Sequence, residues 1–166
     1  NRLEGWNCKI ITNKQITIWK RKNMEDLIEN LYNLDNTIAY SCLKELEKIS
    51  YSSNEVYKYF DKFVEMLDNK NSYIRTRGIV LISSSAKWDI DNKINLIIDK
   101  FLEHIEDEKA ITSRQCIKSL ENIIKYKNEL RPIIKNKLLK LNYLKYEESM
   151  QSLIFKDVEK ILDLIK

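Results

Sequence analysis

Few residues in this 166-residue chain have the types and spacing that chemistry needs. Its one histidine, His104, has no second imidazole to join, and Cys8, Cys42 and Cys116 are too far apart for a paired CxxC ligand set. Two glycines cannot build a GxxxxGK or GxGxxG phosphate loop. The serine run Ser83, Ser84, Ser85 has no neighbouring base and reads as the small-residue part of a helix. These residues predict no catalytic group, no metal site and no cofactor. An odd number of widely spaced cysteines fits a reducing, cytoplasmic setting better than a disulfide framework.

Arginine and aromatic residues offer recognition chemistry instead. Arg77 and Arg114 stand 37 positions apart, Tyr40 lies 37 before Arg77, and Arg75 is close by. A guanidinium fork suits carboxylates or phosphates, so these residues are candidates for a partner surface. The favoured reading is that the same arginines pair with Asp68, Asp107 and Glu108 on adjacent turns, tying one repeat to the next. Trp88, at the SAKWD corner, is either an anchor for a partner, since Trp and Arg are enriched in binding hot spots, or an edge cap.

Charge is segregated along the chain. Residues 1–23 hold six basic residues against Glu4, which leaves the body at −1 of the net +4. Within the body, 89–108 carries seven acids and two lysines, while 125–145 carries seven basic residues and Glu129. Lys127, Arg131, Lys135, Lys137 and Lys140 therefore form an alternative basic patch for an acidic ligand, a phosphate backbone included. The two segments also suit each other electrostatically. No run approaches the roughly 18 apolar residues of a membrane span.

The elements that position these residues follow from an internal repeat. The octet CLKELEKI (42–49) returns as CIKSLENI (116–123) and as IFKDVEKI (154–161). Its apolar positions 42, 43, 46 and 49 share one face of a helix and both faces of a strand. YFDKFVEMLD (59–68) matches IIDKFLEHIE (97–106) at an offset of 38. An offset of 74 between the first two octets is two periods of 37, so a copy belongs near residue 79. IVLISSSA stands there, helical in pattern but stripped of charge. Helices are predicted at about 24–34, 36–50, 54–69, 72–87, 90–107, 109–126, 128–143 and 147–166. Asn54, Ser72, Asp89 and Asn128 stand near their starts, with Pro132 in a first turn. Such pairs cannot bury their apolar faces alone, and stacking makes one continuous core.

The segment DNKNSYIRTRGIVLIS (68–83) resembles a HEAT repeat through Asp68, the Ile74-Arg75 pair, Gly78 and then Leu81 or Ile82. The stretch from about 24 to 166 also resembles a small bacterial family of HEAT-like proteins labelled SufBD proteins. The expected fold is all-α: a right-handed α-α superhelix, a short HEAT-like solenoid of about eight helices in antiparallel pairs. Residues 1–23 read as an extension or small hairpin ahead of it.

A solenoid offers area and shape, so a non-catalytic module that binds a protein segment along its stacked second helices is the leading expectation. Nucleic-acid binding through the 125–145 helix is the rival, and the −1 body counts against it. The family label implies a third reading, an accessory role in iron–sulfur cluster assembly. In the last helix apolar residues spread over about 200°, wider than a one-sided stripe needs. Phe155, Leu162 and Ile165 are therefore expected to face a partner or a second copy, giving a homodimer.

Overall fold

A computed structural model describes residues 24–166, and every regular element among them is helical. Cys8 and the hairpin expected within 1–23 lie outside the described residues. Helix α1 covers 24–29 and tightens into the 3-10 turn Asn30–Tyr32. Then come α2 (Asn36–Ser52), α3 (Phe60–Met66), α4 (Ser72–Ser84) and α5 (Lys93–Glu103). Helices α6 (Ala110–Tyr126), α7 (Arg131–Leu139) and α8 (Glu148–Ile165) complete the set of eight.

Local chemistry sets the helix starts. The Asp35 side chain accepts from the Thr37 and Ile38 amides and opens α2, and Asn71, one residue before the expected Ser72, accepts from Tyr73 and opens α4. Asp89 does the same for α5 from further upstream, taking the amides of Lys93 and Ile94. It reaches them because Asn92 between them is left-handed, at φ 55°. Pro132 lies in the first turn of α7, as expected.

The even-numbered helices form a row in which α2 packs on α4, α4 on α6 and α6 on α8. The odd-numbered ones sit against it: α3 on α4, the 3-10 turn that ends α5 on α6, and α7 on α8. One contiguous apolar core runs between them, from Leu46, Phe60 and Phe63 through Ile82 and Phe101 to Leu120 and Ile154. Helices α2 and α6 are both 17 residues long, and they start at 36 and 110, the same 74-residue offset as their octets.

Helix α4 explains the octet that failed to match. Ile74, Ile79, Leu81, Ile82 and even Arg75, Arg77 and Ser83 are buried. It contacts α2, α3 and α6 together, and a helix enclosed on several sides has little solvent face to carry charge. The bare IVLISSSA copy is a consequence of central position. Gly78 marks the tightest contact: a Cβ there would stand 2.7 Å from the Phe63 carbonyl oxygen and 2.8 Å from the Met66 Cβ on α3.

Polar contacts hold the corners. Asp107, just before α6, takes both Nε and Nη2 of Arg75 at 2.7 and 2.8 Å. Asp89, just before α5, receives the Lys127 ammonium at 2.9 Å. Thus α5 is pinned at its two ends by buried carboxylates, one bound to a cation from α4 and the other to a cation beyond α6.

Candidate partner-binding groove

The candidate arginines do not share one partner surface. Arg75 is buried; beyond Asp107, its Nη1 donates to the carbonyls of Asn69 and Lys70. It ties the turn before α4 to the turn before α6, the alternative foreseen for it. Arg77 points back to the α1–α2 corner, donating to the Leu31 carbonyl at 2.6 Å and to Asn36 Oδ1 at 2.8 Å. Arg114 points forward to Asp157 on α8 at 2.6 Å. Trp88 is half-buried, and its indole N–H donates at 2.7 Å to the Ser50 carbonyl, near the end of α2. It caps that helix end, while Ser50 returns a bond to the Ser84 carbonyl. Tyr40 is the exception: it is 59% exposed.

The basic patch divides as well. Lys127 is 5% exposed and donates to the Asp89 carbonyl and Asn92 Oδ1, which removes it from the surface. Sequence alone favours an exposed lysine, and the partner that overrides this lies 38 residues away. Arg131 is half-buried against the Ile124 carbonyl. Lys135, Lys137 and Lys140 are exposed. Among the described residues they pair with no acid, so the acidic α5 and basic α7 are not matched through them. The α5 lysines reach backward instead, Lys93 to Asp61 and Lys100 to Asp68.

Burial and hydrogen bonding compete at the two corner carboxylates. Burial pushes the Asp107 carboxyl up, but bonds from His104, Arg75 and the Lys109 amide outweigh it and hold the group well below the usual range. Asp89 is held low in the same way: burial is opposed by Lys127, Tyr57 and the Ile94 and Lys93 amides. Burial, then the bond to Asp89, pushes the Tyr57 hydroxyl up in turn. His104 thus has a partner, its Nδ1 lying 3.2 Å from Asp107. Cys116 is wholly buried, which pushes its thiol up, and Cys42 is half-buried. Among the described residues, no group of three or more His, Cys, Asp or Glu side chains is placed to hold a metal ion. None of their helices is long and apolar enough to cross a membrane.

What the structure adds is a groove of about 850 Å³ along the even-helix row, the row opposite to the one expected to bind. Its floor is α4, through Tyr73, Thr76, Val80, Ser84 and the buried Ser83. One wall is α2, through Thr37, Tyr40, Lys44 and Glu47; the other is α6, through Gln115, Lys118, Glu121 and Lys125. A shallower extension reaches Lys48 and Tyr51. The serine run contributes Ser83 and Ser84, which give the floor small side chains. Its hydroxyls are satisfied internally, Ser83 by the Ser119 carbonyl and Ser84 by the Val80 carbonyl. Tyr73 is 59% exposed, like Tyr40 across from it. Sequence reasoning missed the groove, although Tyr40 and Arg77, which both line it, were among its candidates.

On α8, Ile154, Val158 and Ile161 are buried, while Leu162 and Ile165 are half-buried against the core. The wide apolar arc is shared between α6 and α7. Phe155 remains 44% exposed, in tilted contact with Tyr143. No family model, curated protein or solved structure matches this chain.

Proposed function

We propose that the chain is a non-catalytic interaction module, a short HEAT-like α-solenoid that holds a segment of a partner protein in the α2/α4/α6 groove. The groove carries this reading, since it is the place where exposed tyrosines and charged side chains converge on an open surface. The solenoid reading is supported by where the polar contacts fall. Among the described residues, the long-range side-chain hydrogen bonds link residues 32 to 46 apart, and the shorter ones, such as Cys116 to Phe101, Ser113 to Ile105 and Arg131 to Ile124, join elements consecutive in the chain. Even helices begin at 36, 72, 110 and 148. Each unit thus touches its neighbours in sequence, as in a quasi-one-dimensional stack of about 37-residue repeats.

Affinity capture from native extract tests the reading with Tyr40→Ala/Tyr73→Ala beside wild type. These exposed tyrosines replace Arg75 and Arg77 as probes, because the buried arginines would disturb the fold. A partner retained by wild type and depleted at least about ten-fold by the variant is expected. A partner indifferent to the tyrosines but lost when Lys135, Lys137 and Lys140 become Ala would instead favour the basic face of α7. If that partner were nucleic acid, its affinity would fall steeply with salt. Self-association through α8 rests on Phe155 and Leu164, each 44% exposed, and concentration-dependent light scattering reads it. The cluster-assembly reading rests on the family resemblance and has no residue constellation of its own among the described residues.

A further inference from the structure

The ionic character of the groove departs from that of the chain around it. Five cations line it and its extension, Lys44, Lys48, Arg77, Lys118 and Lys125, against two acids, Glu47 and Glu121. Both acids are already paired, Glu47 with Lys44 at 2.6 Å and Glu121 with Lys160 at 2.7 Å. Lys118 reaches Asp157 only at 4.0 Å, and that carboxylate is bound by Arg114. Among the described residues, Lys48 and Lys125 meet no carboxylate. Arg77 carries its charge at the base of the groove, 4% exposed, on two neutral oxygens and with no described carboxylate beside it. A positive surplus is therefore concentrated in a concave surface of a body that totals −1. Low-dielectric walls strengthen such a field.

Resting on the groove reading above, we infer that the occupant is an acidic peptide segment, laid along α4 with its carboxylates facing Lys118 and Lys125 on one wall and Lys48 on the other, above the buried charge of Arg77. Size agrees with a single segment. The floor from Tyr73 to Ser84 spans eleven residue steps of about 1.5 Å, roughly 16 Å in all. That is about three turns of helix, or about five extended residues. Tyr40 and Tyr73 supply flat, amphipathic contact for the peptide's apolar side chains. A long nucleic acid is disfavoured because outside the groove the body carries the acidic excess that brings its total to −1.

The test is selection from a displayed library of random peptides of about twelve residues, a length that covers either conformation. Wild-type protein and the charge-reversed Lys118→Glu/Lys125→Glu protein are the baits, the latter checked for an unchanged melting curve. Wild type is expected to enrich net-negative peptides. These should bind the reversed protein at least about ten-fold more weakly and lose affinity near 1 M salt, where the Debye length is about 3 Å. Peptides that depend on Tyr40 and Tyr73 but show no acidic bias would overturn the charge inference and leave the groove reading standing. Peptides indifferent to the tyrosines, or no enriched peptide at all, would overturn both. Tighter groove-dependent binding of a single-stranded oligonucleotide than of any selected peptide would overturn the choice of peptide.

Discussion

Arg75 and Asp107 are the pair on which the centre of the molecule turns. A bidentate bond between buried charges stabilises only while both partners are present, because each alone is an uncompensated charge. Arg75→Met should cost about 3–5 kcal/mol in urea unfolding, and adding Asp107→Leu should restore at least half of that. A single variant costing under about 1 kcal/mol would contradict the tie. The carboxyl also fixes a pH dependence. Its folded value lies below the unfolded one of about 3.9, so on acidification the unfolded chain takes up the proton first. Stability from Asp107 is therefore complete above the unfolded value and is lost as pH falls toward the folded one. Asp107→Asn should flatten that acid limb, while a limb parallel to wild type would count against it. At this scale sequence was an uneven guide. The acids able to hold Arg75 were legible, whereas Lys127 was misplaced on the surface. A lysine's type gives no hint of a carbonyl and a carboxylate waiting 38 residues upstream.

Helices were the most legible level, since an apolar period near 3.6 and a recurring octet specify them locally. The starts of α2 and α6 fell within a residue or so of expectation, and Gly78 was legible as a position of the HEAT-like segment. The structure adds the reason for a glycine there, the close approach of α3. Gly78→Ala gains helix propensity worth up to about 1 kcal/mol, yet it drives a methyl into the Phe63 carbonyl and Met66. Overpacking of this kind typically costs about 1–3 kcal/mol, so the variant should melt lower than wild type. A higher melting temperature would mean that α3 can move away. The start of α5 was less legible, because its capping Asp89 acts across a left-handed Asn92 and the helix begins later than periodicity implied. IVLISSSA was legible as an exception but not as a cause, since the enclosure of α4 by three helices is a tertiary fact.

At the scale of the whole molecule, stacking brings residues 37 to 125 to one surface, and no single segment announces this. The groove consists of solvent-side residues from three helices, the positions that periodicity sets aside once the core face is found. Charge was visible as totals per segment, which drew the eye to α7, away from Lys118, and counted Lys125 with the α7 lysines instead of with the groove. Lys135→Ala, Lys137→Ala and Lys140→Ala should each change unfolding free energy by less than about 0.5 kcal/mol and leave the groove partner bound. The groove itself is tested most directly by photo-crosslinking. A photoreactive residue replaces Tyr73 in one protein and Lys137 in another, and both are irradiated in native extract. A discrete adduct from position 73 and none from position 137 is the expected result, with Tyr40→Ala diminishing the adduct. An adduct from position 137 with position 73 silent would place the partner on α7 and contradict the groove.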